Sequence, residues 1–433
     1  MEKVNIFWFR RDFRFDDNVG LFNALMSDNP VLPIFIYDTD IIDKLPEDDA
    51  RLTFIYETLQ SMNSRLNKKF DTSIAFFHGK PVKVFEKIID KYDIGEVYTN
   101  KDYEPYALKR DKEIKTLLQD HDIEFKTYKD QVVFEHSEVV KNDGDPYLVF
   151  TPYMKRWKEE FKSIDFKTFL SENHLDKIVK NKMLPNIHLK DMGFKKSKIS
   201  VPDYHLDEDF MKDYNDTRDI PSINGTSRLS PYLRFGLVGY RKLVEKAMTV
   251  KDESFLDELI WREFYKMILY HYPESVDNAF KKKYDRIEWR NNEDEFEKWK
   301  NGQTGYPIVD AGMRQLNETG WMHNRVRMIV GSFLCKHLLI DWRWGEAYFA
   351  EKLLDFEQSS NVGGWQWVAG SGVDAAPYFR IFNPYSQTDK YDKEKKYIKK
   401  WVPEYDSDSY PEPMVEHKMA RERCLDTYKA GLN

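Results

Sequence analysis

Short apolar or β-branched runs alternate with stretches of helical period through the first 130 residues. Val4–Phe9, Val31–Tyr37, Thr72–His78 and Glu96–Thr99 carry the pattern of buried strands. Asn18–Met26, Asp49–Lys68, Pro81–Tyr92 and Pro105–His121 lie between or after them and read as helices. Regular β/α alternation predicts a Rossmann-like α/β domain over 1–130, a parallel sheet with helices on both faces. From 131 to 206 the pattern dissolves into mixed polar text with Gly, Pro and Lys, which predicts an interdomain linker. From Asp207 the period is helical, predicting an all-α domain over 207–433. A chain of 433 residues is long for one core, which agrees with two domains.

One helical stretch, Trp321 to Pro384, is too polar for an ordinary core. On Asn324–Leu339 the residues Val326, Ile329, Val330, Phe333 and Leu334 form an apolar stripe. Asn324 and Met328 share another face, with Arg327 beside them. Buried polar groups need partners, so a face of this kind points to a ligand. Upstream, Glu258, Trp261, Arg262 and Tyr265 are spaced i, i+3, i+4, i+7 and share one helix face. Taken alone, that is an amphipathic helix with an ion pair.

Composition narrows the picture. The chain is 41% hydrophobic and 33% charged, as in soluble globular proteins. No apolar run approaches a membrane span, and the N-terminus lacks the apolar core of a signal peptide. Two cysteines, Cys335 and Cys424, without CxxC or Cys/His clustering, argue against a disulfide scaffold or a zinc site and suit the reducing cytoplasm. Ten histidines show no metal-ligand spacing, so no metal is expected. A net charge of −7 excludes a protein coated for nucleic acid and leaves room for a local basic face. No GxGxxG follows the first strand, so an ordinary dinucleotide site is not supported. The run FRRDFRFDDN reads as a solvated loop with surface ion pairs.

WMHNRVRM, DWRWGE, NVGGWQW and DAAPYFRIFNP follow WFRRDFRFDDN, GTSRLSPYLRFG, ELIWREFY and GYPIVDAGMRQL in one order. Together they resemble the photolyase/cryptochrome family over nearly the whole chain, and within it the class I cyclobutane pyrimidine dimer photolyases. The resemblance implies light-driven repair of such dimers in DNA by electron transfer from excited, fully reduced, anionic FAD to a dimer flipped out of the duplex. It implies a monomer, acting inside a bacterial cell and away from membranes.

Roles follow residue by residue from the same resemblance. Tyr214 and the run Thr226, Ser227, Arg228, Leu229, Ser230 hold the FAD diphosphate, where helix capping is the plain alternative. Glu258 hydrogen-bonds the damaged bases, Trp261 and Trp367 wall the pocket, and Asn324 and Met328 form its floor. Arg262, Arg327, Asp355, Glu357 and Asn361, with Glu258 again, surround the flavin, and Glu357 stands where many relatives carry Asp. Trp365, Trp342 and Trp289 relay electrons from the surface, with Trp299 near that route. Arg218, Arg325 and Arg380 contact the lesion strand. A second, antenna chromophore stays open: Tyr106 and Ala107 replace the Asn–Glu pair of folate-binding relatives. The rival readings are a cryptochrome-type blue-light photoreceptor, which predicts a C-terminal extension or an altered pocket, and a (6-4) photolyase, which predicts histidines at Asn324 and Met328.

Overall fold

The computed structural model describes residues 3–181 and 183–433, which form two compact units. The first comprises residues 3–139, 157–202 and 229–249, and the second residues 140–156, 203–228 and 250–433. The polar stretch 131–206 is thus divided between the units, and 229–249 joins the first. Apolar side chains inside the polar text explain the division. Leu175, Ile178, Leu189 and Met192 complete a core cluster of the first unit. Phe150 and Tyr153 pack on Trp261 and Phe264 of the second.

The first unit is built on a five-stranded parallel sheet, β1 Val4–Phe9, β2 Val31–Tyr37, β3 Ala75–His78, β4 Ile94–Asn100 and β5 Glu124–Tyr128. The strand order is β3-β2-β1-β4-β5. The helices here include α1 Val19–Leu25, α2 Ala50–Phe70, α3 Pro81–Lys91 and α4 Pro105–Gln119. β1 is buried along its whole length, so both faces must be covered. Phe7 and Phe9 join α1 and α2 residues on one face, while Ile6 and Trp8 meet Phe85, Ile88, Ile114 and Leu118 on the other. The side-chain period of two sends neighbours to opposite cores. β5 was not legible in the sequence, because EFKTY is a half-exposed edge strand without an apolar run.

The expected solvated loop after β1 is instead buried. Arg11, Asp12, Arg14 and Asp17 are each at most 8% exposed. Arg14 pairs with Asp130 at 2.7 Å, and Asp17 with Arg241 at 2.8 Å. The counter-ions come from distant segments, Asp130 and Arg241, which a surface reading of the loop's own letters misses.

The second unit is helical: α5 Ser254–His271, α6 Pro307–Thr319, α7 Asn324–Ser332, α8 Trp342–Lys352, α9 Gln358–Ala369, α10 Pro384–Tyr391, α11 Lys396–Trp401 and α12 His417–Leu432 are its main elements. Among the described residues no helix is long and apolar enough to cross a membrane. Gly345 on α8 leaves room for the Trp365 indole, which would lie 2.1 Å from a Cβ there. The helix expected over 324–339 changes after Ser332 into a π turn, Phe333–His337. That wider turn accompanies a buried Lys336, whose Nζ donates to the Ala369 and Tyr378 carbonyls at 2.9 and 3.2 Å. Its charge also lies 3.9 Å from the Tyr428 ring centre.

Candidate active site

Three helices of the second unit meet where the chemistry-bearing residues concentrate. α9 reaches α5 at Gly363, whose Cβ position lies 2.3 Å from the Tyr265 ring. It reaches α7 at Gly331, whose Cβ position is 3.1 Å from Val368. Apolar faces on these helices hold the junction, and other faces of the same helices carry Glu258, Arg262, Arg327 and Asn361.

Glu258 on α5 lies 2.8 Å from Arg218. Its side chain is about a third exposed, yet burial raises its carboxyl pKa and Arg218 opposes the rise. A group that water can touch but that is poorly solvated sits in a recess. Tyr214 packs in the same place, 5.5 Å from the Arg218 guanidinium and edge-on to Phe255 at 5.2 Å. Trp261 is half-buried, and one of its faces is taken by Phe150, stacked at 3.7 Å and 8°. Its further ring neighbours are Tyr265 at 5.4 Å and Phe264 at 5.6 Å.

Glu357 lies between two cations. Its carboxylate is 2.7 Å from Lys266 and 3.3 Å from Arg262, with Lys266 and Glu357 nearly inaccessible. Lys266 was missed in the sequence, although it follows Arg262 by four and Glu258 by eight on the same helix face. Arg327 on α7 pairs with Asp355 at 2.8 Å and donates to the Met322 carbonyl at 2.8 Å. Asn361 on α9 donates to the carbonyl of Glu346 at 3.1 Å and to its carboxylate at 2.8 Å. Burial raises the Glu346 pKa, and the Asn361 bond holds it back. That contact spends the amide donor and leaves the Oδ1 acceptor for a ligand. Glu346 was in plain view in DWRWGE, but nothing in the letters ties it to a residue fifteen positions away.

The remaining residues are placed as follows. Asn324 is exposed at the start of α7 and Met328 is half-buried one turn later. Arg325 is held bidentate by Asp219 at 2.8 Å, with its guanidinium 4.4 Å from the Tyr391 ring. These contacts fix the position of its guanidinium. Arg380 lies 6.0 Å from the half-buried Trp367 ring. Arg228 has a positive φ of 52° and lies 5.6 Å from Trp321. Thr226 and Ser227 are half-buried; Leu229 and Ser230, which open a five-residue helix, belong to the first unit. Trp365 and Trp342 are buried in one core cluster, and Trp289 packs against it half-buried. The ring neighbours of Trp365 are Phe349 at 4.9 Å and Trp299 at 6.1 Å.

His323 caps α7, its Nδ1 accepting from the Arg325 amide at 3.1 Å. Its pKa is pushed from 6.5 to about 4, chiefly by burial, with Asp219 opposing and Arg325 and Arg327 adding. The unfolded chain therefore binds more protons here between those values, and stability present above pH 6.5 is lost as pH falls toward 4. Lowering pH from 6.5 to 5 should cost about 2 kcal/mol from this group at most. His323→Asn, which keeps a cap acceptor, should flatten that part of the profile in urea unfolding at a series of pH values. An equal slope in both proteins would contradict it.

The pattern described as the FAD binding domain of DNA photolyase matches residues 255–407, and that described as DNA photolyase matches 5–172. The deoxyribodipyrimidine photo-lyase of Vibrio cholerae is 36% identical, over 99% of this chain and 100% of its own. That of Alkalihalophilus pseudofirmus is 34% identical, over 99% and 98%. The chain belongs to the DNA photolyase family. A crystal structure of a bacterial class III photolyase from Agrobacterium tumefaciens, 32% identical, covers 100% of this chain and 98% of its own with a TM-score of 0.87.

FAD fits the residues present. Gly364, between Asn361 and Trp367 on α9, has nothing within 4 Å of its Cβ position, so a flat ring system can approach the helix backbone there. The donor set, Arg262 and Lys266 at Glu357 and Arg327 at Asp355, supplies cationic N–H groups of the kind that take a ligand carrying negative charge.

Proposed function

We infer that this chain repairs cyclobutane pyrimidine dimers in DNA by a light-driven reaction. The observation that carries the reading is Glu258, held by Arg218 in a recess and sharing a helix face with Trp261, at a junction whose partner helix carries Gly364 between Asn361 and Trp367. Reduced FAD, when bound, supplies an electron to the dimer on excitation and accepts it back after the ring has split. The chain's own residues bind, orient and exclude water. Arg218 and, in its protonated form, Glu258 place hydrogen-bond donors where charge develops on the lesion carbonyls. Arg262, Lys266 and Arg327 offset negative charge on the cofactor side, and Asn361, oriented by Glu346, presents an acceptor. Tyr214 and the Thr226–Arg228 turn hold the diphosphate. The rings of Trp261 and Trp367 wall the dimer, above Asn324 and Met328. Trp365, Trp342 and Trp289 carry electrons inward when the cofactor has been oxidised. The protein acts as a monomer inside the cell, and placement in the class I branch rests on the motifs alone.

Holoenzyme should restore a single defined cyclobutane dimer in an oligonucleotide under blue or near-ultraviolet light and leave a (6-4) photoproduct untouched. Binding of FAD without reversal of the cyclobutane dimer would favour the photoreceptor reading. Reversal of the (6-4) lesion would favour the other rival.

The antenna prediction concerns the first unit. Tyr106, at the start of α4, donates its hydroxyl to Asp38 at 2.5 Å, and Ala107 is buried beside it. Neither offers the carboxylate with which folate-binding relatives grip the pterin. Purified protein should therefore carry far less than one methenyltetrahydrofolate per chain, read from its absorption after release. A stoichiometric content would overturn this.

A further inference from the structure

In a chain whose net charge is −7, residues 390–400 hold six lysines against two carboxylates. Neither carboxylate neutralises the group. Asp392 is buried and accepts from the Tyr397 and Ile398 amides at 3.0 Å, which anchors the start of α11. Glu394 is taken by Lys396 at 2.7 Å. Among the described residues no carboxylate lies within 4.0 Å of Lys390, Lys393, Lys395, Lys399 or Lys400. All five are exposed. Aromatic rings are interleaved with them: Lys390 lies 5.0 Å from Tyr391, Lys395 5.3 Å from Tyr405 and Lys400 4.9 Å from Trp401.

The patch follows in the chain on a residue tied to the neighbourhood of the recess. Tyr391 ends α10 against Arg325, which is held by Asp219, the neighbour of Arg218. At the other end of the same segment, Arg380 lies beside Trp367. Tyr397 and Ile398 turn inward, where the Tyr397 hydroxyl meets Gln315 at 2.7 Å, so the lysines on either side of them are held outward on a fixed helix. Lys399 and Lys400 lie on α11, and Lys393 and Lys395 on the turn that leads into it, where Lys395 has a φ of 54°.

We propose that Lys393, Lys395, Lys399 and Lys400 track the phosphates of the duplex on one side of the lesion recess. The proposal rests on the reading that the recess takes a dimer from duplex DNA. Contacts of this kind carry no sequence information and no preference for damage. They set the register of the duplex, and their strength falls with salt as each displaced counterion is released.

The test uses full-length holoenzyme, wild type and a variant with all four lysines changed to Gln, in the dark. Binding is measured by anisotropy over a salt series on undamaged duplex of ~30 base pairs and on duplexes with one thymine dimer at the centre or near either end. A dimer-bearing single-stranded hexamer serves as the short control. The variant should bind undamaged and centrally damaged duplex about tenfold or more weakly near 0.1 M salt, with a salt slope shallower by ~2–4. Both proteins should bind the hexamer alike. The wild type should lose affinity when the dimer moves toward one end and keep it when moved toward the other, while the variant treats both ends equally. Equal affinity and slope for the two proteins on undamaged duplex would overturn the proposal, whatever other polyanion the lysines bind. Absence of any preference for damaged duplex in the wild type would strike the recess reading instead, and the undamaged-duplex comparison would still decide the patch.

Discussion

Glu258→Ala should lower the yield of repaired dimer per absorbed photon by about 10–100-fold while leaving flavin photoreduction intact. The magnitude is that of a hydrogen bond to a charged group, about 1.5–3 kcal/mol, applied to the competition between ring opening and unproductive electron return. Stability should change little, because Arg218 is 30% exposed and water can solvate it once Glu258 is gone. Glu258→Gln keeps a donor at the same reach and should recover part of the yield. Trp289→Phe should give the opposite pattern. It preserves aromatic bulk against Tyr428, 5.9 Å away, so packing loss is small. Phe is much harder to oxidise than Trp, so the variant should fail to photoreduce with an external donor. Reduced beforehand with dithionite, it should repair at near wild-type yield. Failure of the pre-reduced variant would remove Trp289 from the recharging path. Unchanged repair in Glu258→Ala would remove Glu258 from the lesion.

Glu357→Ala should destabilise the helical unit by about 3–5 kcal/mol, the range for removing one partner from a buried ion group. The carboxylate is shared by Lys266, 3% exposed, and Arg262, 11% exposed, so one substitution strips a counter-ion from two poorly solvated cations. Glu357→Asp keeps the charge but shortens the reach by one methylene. It cannot hold both cations at their present distances and should cost less than half as much. Urea unfolding of the FAD-free and FAD-loaded proteins reads both, as a shift of midpoint at constant slope. A loss below about 1 kcal/mol for the alanine variant would show that the cations are served by other groups or by water.

What was legible from the letters divides by physical cause. β1, β2 and their helices could be read because buried parallel strands are apolar along their length and helices keep their period. β5 could not, since its pairing depends on β4 presenting an edge. The loop after β1 was misread because charge patterning alone does not say whether ion pairs face water or core. In the site, residue types and order pointed to Glu258, Trp261, Arg327 and Asn361. Their partners were another matter. Arg218 reaches Glu258 and Glu346 reaches Asn361 through tertiary packing, as Asp219 reaches Arg325 and Lys266 reaches Glu357, and Phe150, stacked on Trp261, comes from a stretch read as linker. The Asp219 clamp on Arg325 shows the limit most plainly, because only the fold brings together two residues 106 positions apart.

The central claim is that light, a bound reduced flavin and the Glu258 recess together split cyclobutane dimers. The most direct measurement is reversal of one defined thymine dimer in a duplex by dithionite-reduced holoenzyme, followed by chromatography of the strand after timed exposure to blue or near-ultraviolet light. The account predicts restoration of both thymines, first order in light dose, none in the dark, and a sharp loss of yield in Glu258→Ala. Dimer left intact by bound, reduced and illuminated wild-type enzyme would contradict it.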